Sequence, residues 1–492
     1  MNAKKVFKNL PIISFKGDYE KEEIVHIETN SSHCVKGTIY VCTKGVNADS
    51  HNFAQDAKLN GASILVVERY VDCDLPQVLV ENSRQALSIL SSNFFNNSNE
   101  KLRIIGITGT NGKTTSSFVT KQILEIMNKK VGLIGTEGVW IGSDFYPGEL
   151  TTPDPFDLHK IFAKMVEDNC EFCVMEVSAH AIALSKICGI KFEVGLLTNI
   201  TQDHLDYFLT MERYAKTKID FLLGEQVEKL ILNSDDPRYS EISAMTNKKF
   251  VSYGRENPAD IFCTEPEYKP SGTTYFVNAF DEVCRVDTPL CGDYNVSNAL
   301  GVVSICLSFG LKLEDICSAL KKTKPVAGRF NIVELDPKRY VVIDFAHTPD
   351  GIEKILQATK KIFPSPIIAL FGASGNRDRG KRAIMGKIAE ENADFLVITS
   401  DNPRYEKPEF IIYEICKGLK KTNHILIPDR RVAVAIALEY LSEGGTLVLC
   451  GKGAEKYQDI NGIKQPYNDL NEVEKFVESE KDKKNIDEAL QC

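Results

Sequence analysis

The residues with the plainest chemistry lie in "GITGTNGKTTSSF", residues 106–118, where Gly112, Lys113, Thr114 and Thr115 follow one another. A glycine-rich turn at the start of a helix presents backbone N–H groups to an anion, and a lysine there adds a point charge near the β and γ phosphates of a nucleotide. Thr114 offers a hydroxyl to Mg2+. The strict phosphate-loop pattern asks for a glycine where this chain has Ile107, and glycines stand instead at 106 and 109. Gly109 and Gly112 can permit the tight backbone path, so nucleotide binding is expected over an ordinary glycine-rich turn.

Such a loop must sit between a strand and a helix. "RIIGIT" supplies the strand and "TTSSFVTKQILEIM" the helix. Apolar strands recur at "EFCVMEV", "VGLLTNI" and "KLILNSDD", each beside helix-like segments, the pattern of a doubly wound parallel sheet. Upstream, "GTIYVC" (37–42) and "SILVV" (63–67) read as short buried strands flanking the helical "NFAQDAKLNGA". After "KPVAGRFNIVEL" come the strands "YVVIDFA", "PIIALFGAS", "FLVITSD" and "TLVLCG", with helices such as "KRAIMGKIAEENA". The polar tail "ESEKDKKNIDEALQC" is expected to fray. The expected fold class is α/β in three domains. These are a small N-terminal α/β domain over 1–98, a central P-loop-type parallel-sheet domain over 99–328 and a C-terminal Rossmann-like domain over 329–492.

At 492 residues the chain is too long for one core. Its 43% hydrophobic and 26% charged content suit a globular protein, and no apolar run reaches the roughly 20 residues of a membrane span. The N-terminus has no sustained apolar core or cleavage site, so a cytoplasmic address is expected. A net charge of -9 with no basic face argues against nucleic-acid binding. Anionic ligands must therefore meet locally placed cations. The 14 cysteines are scattered, and the lone pair Cys170 and Cys173 runs into an apolar strand, which favours reduced core thiols over a metal site.

Eight motifs, "TGTNGKTT", "MEVSAHA", "TNITQDHLDYF", "GDYNVSNAL", "DFAHTPDGIEK", "GASGNRDRGKR", "SDNPRYEKP" and "GKGAEKYQ", stand in the order found in the Mur ligases, and the chain resembles the MurE branch most. In this family the loop is written G-T-N-G-K-[ST], which accounts for Ile107. The resemblance implies that ATP activates a substrate carboxylate as an acyl phosphate, which an incoming amine then attacks. Carboxylate, phosphates and transition state are anionic, so the site needs Mg2+ and cations.

By this resemblance, ATP is held by Gly109, Thr110, Asn111, Gly112, Lys113, Thr114 and Thr115, with Asn295, Asn298, Arg329, Asp344 and His347 closing over it. Lys113, Glu176, His204 and Lys218 are the expected catalytic set. Thr114, Glu176, His204 and a carbamylated Lys218 are the expected metal donors; Glu176, at the end of an apolar strand, is well placed as an oxygen ligand. Asn199, Asp203 and Asp206 cluster around His204, and the spacing from Tyr214 selects Lys218 over Lys216. Ser31, Thr151, Thr152, Ser178 and Lys186 match contacts to a uridine nucleotide-peptide. Arg382, Asp401, Asn402, Arg404, Gly451 and Glu455 match contacts to the added amino acid. In MurE-like ligases D-N-P-R marks addition of meso-diaminopimelate. A guanidinium can bind its distal carboxylate bidentately and would repel the ammonium of lysine.

The chain departs from the family on the nucleotide-peptide side. D-S-R becomes Asn30-Ser31-Ser32, V-S-S-H becomes Val177-Ser178-Ala179-His180, and an arginine becomes Lys186. "GASGNRD" and "GKGAE" also differ from the usual spelling. The implied function is addition of diaminopimelate to UDP-MurNAc-L-Ala-D-Glu by a monomer acting on small molecules. The alternatives are lysine addition, a paralogue acting on another carboxylate, a folylpolyglutamate-type ligase, and a nucleotide-binding scaffold without catalysis.

Overall fold

The computed structural model describes residues 1–45, 48–363, 365–441 and 444–490, with side chains through 481. Among the described residues three large sheets follow one another along the chain, and a two-stranded hairpin follows the third. The first has five strands, with Thr38–Val41 and Ala62–Val67 parallel near its centre. The helix Ala54–Leu59 joins them, as the alternation of apolar and polar segments predicts.

The second sheet has eleven strands and holds Arg103–Thr108 at its middle, between Phe172–Glu176 and Phe192–Leu197, both parallel to it. The chain leaves Arg103–Thr108 to build one side of the sheet, then crosses to build the other. The end of that strand is therefore the topological switch point, where open α/β sheets bind ligands. Antiparallel strands close both edges. The strand residues are nearly all buried because helices cover both faces, which explains their continuous apolar runs. Ile107 packs in this core, so the loop proper begins only at Gly109.

The third sheet has six strands, and the last in sequence, Gly445–Cys450, inserts between Arg339–Asp344 and Ile367–Phe371. Phe395–Ile398 continues the parallel array. The C-terminal ends of these four strands lead into Phe345–His347, Ser374–Arg382, Asp401–Arg404 and Gly451–Glu455. Of the tail expected to fray, residues 478–490 are helical instead, within Asp469–Leu490, and residues 491–492 lie outside the described residues. Arg339 on the third sheet binds Glu480 of that helix through two hydrogen bonds. Cys170 and Cys173 are buried core thiols, and no described helix is long and apolar enough to cross a membrane.

Candidate active site

A cavity of about 680 Å³ opens where the second and third sheets face each other at their C-terminal strand ends. At one end the loop 109–112 leads into the helix Lys113–Ile126. Gly109 has φ 147° and Gly112 φ 87°. A Cβ on Gly109 would strike the Thr198 hydroxyl, and one on Gly112 the Asn298 amide, so both glycines are required by space as well as by backbone angle.

Two lysines converge on this loop. Lys113 Nζ donates to the carbonyls of Gly109 and Thr110 at 2.9 and 2.8 Å. Lys218, only 1% exposed, donates to the same Gly109 carbonyl at 2.9 Å and lies over the Tyr214 ring. Among the described residues neither lysine has a carboxylate within ion-pair distance. Burial pushes both ammonium groups below the usual lysine range, and for Lys218 the charge of Lys113 adds to the effect. An anion between them would supply the missing counter-charge.

Glu176 ends its strand beside this pair. Its Oε2 accepts from Thr114 Oγ1 at 3.0 Å and Thr136 Oγ1 at 3.1 Å, and its Oε1 from the Thr136 N–H at 3.0 Å. His204 stands in the left-handed region at φ 56°. Burial pushes its pKa down to about 3, with Asp203 opposing, so the ring is neutral. Asp203 is a junction: its carboxylate lies 3.2 Å from Lys381 Nζ, 3.4 Å from His204 Nε2 and 3.8 Å from His347 Nε2. Burial alone would raise the Asp203 pKa, but Lys381 and the two histidines hold it well below the carboxylate range.

The third sheet completes the site from across the cavity. Arg329 Nη2 donates to Thr114 Oγ1 at 3.2 Å, and its guanidinium lies 3.7 Å from Glu137. Asn111 in the loop donates to Asp350 Oδ2 at 2.8 Å. Asp344 accepts from the N–H groups of Phe330 and Ala346 at 2.7 and 2.8 Å, which anchors the junction carrying Arg329.

At the far end lie Arg377, Asp401, Asn402, Arg404, Gly451 and Glu455. Arg404 adopts φ 50° and is clamped by main-chain bonds to Asp459 and Asn461 of the hairpin Tyr457–Pro466. Among the described residues its guanidinium has only a 3.3 Å bond to the Gly375 carbonyl and a 3.7 Å approach to Asp459. Arg377 makes no hydrogen bond or ion pair among the described residues. Burial and the neighbouring Arg404 both disfavour its charge, so the pair is poised for an anion.

Arg382 does not fit the role expected for it. It is fully buried and bound by Glu406, Glu414 and the Ser374 carbonyl, so it braces the loop that presents Arg377. Arg377, not Arg382, is the arginine of "GNRDRGKR" that lines the cavity; four basic residues lie within six positions there, and only the fold shows which faces inward. Asn295 also stays behind the cavity wall, where its Oδ1 accepts from Asn298 Nδ2 at 3.0 Å. Thr151 and Ser178 line the cavity, while Thr152 sits behind them and bonds the Glu176 carbonyl. Lys186 is 9% exposed, pairs with Asp154 at 2.8 Å and does not line the cavity. Ser31 lies apart, in a second cavity of about 340 Å³ on the first sheet, with Asn30, Tyr40, Thr43 and Phe53. Sequence reasoning missed Arg377, Lys381, Asp350 and Lys452, although all four stand inside motifs it singled out.

Residues 107–306 match the Mur ligase middle domain, and residues 328–453 match the Mur ligase glutamate ligase domain. A UDP-N-acetylmuramoyl-L-alanyl-D-glutamate--2,6-diaminopimelate ligase from Clostridium botulinum is 36% identical over 97% of this chain and 99% of its own length. A protein of the same name from Bacillus cereus is 39% identical over 90% of this chain and 91% of its own. A solved structure of a ligase so named has a TM-score of 0.70 at 26% identity, covering 98% of this chain and 99% of the other. With its phosphate loop, its facing sheets and these relatives along nearly its whole length, the chain belongs to the Mur ligase family.

Proposed function

We propose that this protein is an ADP-forming ligase that uses ATP to join meso-2,6-diaminopimelate to UDP-N-acetylmuramoyl-L-alanyl-D-glutamate, in peptidoglycan precursor synthesis in the cytoplasm. The relatives' names support the reading. The observation that carries it is the arginine pair, Arg377 and Arg404, at one end of a cavity whose other end is a lysine-bearing phosphate loop. A distal carboxylate fits two weakly paired guanidinium groups; a lone ammonium does not.

In this reading residues 1–98 hold the uridine nucleotide through Ser31, residues 99–328 hold ATP, and residues 329–492 hold the amino acid; the protein acts as a monomer. The loop N–H groups and Lys113 hold the phosphates while the substrate carboxylate attacks the γ-phosphorus, releasing ADP. Thr151 and Ser178 orient that carboxylate. The amine then attacks the acyl carbon, and inorganic phosphate leaves. Arg329 and Asp350 reach the loop from the third sheet, so the ATP site is complete only when the two sheets are docked.

Thr114, Glu176, His204 and Lys218 would hold Mg2+. The donors fit: Glu176 and Thr114 offer hard oxygens, and His204 is neutral. No three His, Cys, Asp or Glu side chains among the described residues form a metal cage, which suits an ion that keeps waters and phosphate oxygens. Bound there, Mg2+ would neutralise charge on the transferred phosphoryl group. Burial lowers the pKa of Lys218, which favours the neutral amine that adds CO2 to give a carbamate and a proton. That modification would convert a repulsive cation into an anionic oxygen donor.

Phosphate release tests the reading, with UDP-MurNAc-L-Ala-D-Glu, ATP, Mg2+ and either diaminopimelate or L-lysine. Release with diaminopimelate alone is expected. Equal rates with lysine would overturn the arginine argument, and no release with either amine would overturn the reaction. A second reading, the same chemistry on another carboxylate, is favoured by the Ser31 cavity, whose lining residues carry no charge.

A further inference from the structure

Beside Asn402 and Glu455 lies a buried cation that the reaction does not use. Lys452 is fully buried, and its Nζ donates to Asn402 Oδ1 at 2.9 Å and to Glu455 Oε2. The remaining direction faces the Tyr457 ring, 5.5 Å away. A buried ammonium is held this way only while its carboxylate partner stays in place.

The arrangement sets the direction of every polar group around it. Asn402 Oδ1 accepts from both Lys452 Nζ and the Asp459 N–H, so its Nδ2 must turn to Glu455 Oε2, at 3.0 Å. Both contacts fall on Oε2, leaving Glu455 Oε1 without a partner among the described residues. Asp459, tied to Asn402 through its N–H, also approaches Arg404 Nε through its carboxylate. At this end of the cavity Lys452 offsets the charge of Glu455, and Arg404 approaches that of Asp459. A side-chain end carrying both a carboxylate and an ammonium adds no net charge. A lone ammonium arrives uncompensated.

We propose that Lys452 is a positioning residue that determines amino-acid specificity. It locks Glu455 and Asn402 in one orientation and offsets the charge of Glu455, so the subsite prefers a net-neutral carboxylate–ammonium end over a lone ammonium. The inference rests on the amino-acid subsite of the proposed function. Without Lys452 the subsite becomes one charge more negative, and the lone ammonium becomes the better fit.

The test compares kcat/KM for diaminopimelate and L-lysine in wild type, Lys452→Met, Lys452→Arg and Glu455→Gln, with KM for ATP measured alongside. Lys452→Met should lower the diaminopimelate-to-lysine ratio at least about tenfold, mainly through KM, with KM for ATP unchanged. Lys452→Arg, which keeps the charge, should restore most of the preference. Glu455→Gln shifts the local charge the other way and should raise discrimination against lysine, a readout that remains if Lys452→Met does not fold. An unchanged ratio in Lys452→Met, with equal losses for both amines and a lower Tm, makes Lys452 merely structural and overturns the inference alone. No turnover of either amine by wild type overturns the proposed function and this inference together.

Discussion

The two ends of the cavity are built by opposite means. The phosphate end is local: a strand, two glycines, a lysine and a helix start, all between residues 103 and 126. Its ligand groups are largely backbone N–H, which point correctly once the turn forms. The amino-acid end is assembled from three loops, 374–382, 401–404 and 451–455, with the hairpin Tyr457–Pro466 braced against them. Its ligand groups are long side chains, each aimed by a second residue: Arg404 by Asp459, Arg377 by the loop that Arg382 anchors, Asn402 and Glu455 by Lys452. A site made of backbone tolerates changes around it; a site made of guanidinium groups depends on what holds them.

This contrast is broken most severely at Lys113. Lys113→Ala should lower kcat by about a thousandfold or more while the fold survives, because the charge is lost where phosphoryl charge develops. Steady-state ADP release and far-UV circular dichroism check it. Retention of a tenth of the activity would show that the loop backbone suffices.

Arginine variants give the next largest effect and separate ligand from brace. Arg404→Ala and Arg377→Ala should each raise KM for diaminopimelate about thirtyfold, with KM for ATP within about twofold of wild type. Arg382→Ala should instead destabilise the protein by about 3–5 kcal/mol, read as a drop in denaturation midpoint, because Glu406 and Glu414 lose their buried partner. If Arg382→Ala raised KM without lowering stability, its assignment as a brace would fail.

The smallest effect concerns the seam between the two ends. Asp350→Ala removes the bond from Asn111 and should reduce kcat only about threefold to fivefold, with KM for diaminopimelate unchanged. Single-turnover acyl-phosphate formation checks which step slows. A loss confined to amine attack would place the seam's influence at the other end.

Much of the architecture was legible in the residues. Strands buried on both faces write themselves as runs such as "RIIGIT" and "YVVIDFA", and the glycine-rich turn announces itself by the space it needs. Individual side chains were less legible. Arg377, Arg379, Lys381 and Arg382 crowd one short segment, yet one lines the cavity with no ion pair among the described residues, one pairs with Glu406 at the surface, one grips Asp203 across the cavity and one is buried as a brace. Their partners, Asp203, Glu406 and Glu414, lie 24 to 178 positions away in the chain.

By itself the sequence determined the α/β class, the phosphate loop at a strand–helix junction and the motifs that carry the chemistry. These depend on periodicity and on contacts between near neighbours, so they can be read in order. The tertiary structure alone decided which arginine faces the cavity, that Lys113 and Lys218 share one carbonyl, and that Lys452 underlies Glu455. Burial and charge pairing settle such questions, and both arise only when loops distant in the chain close around a common space.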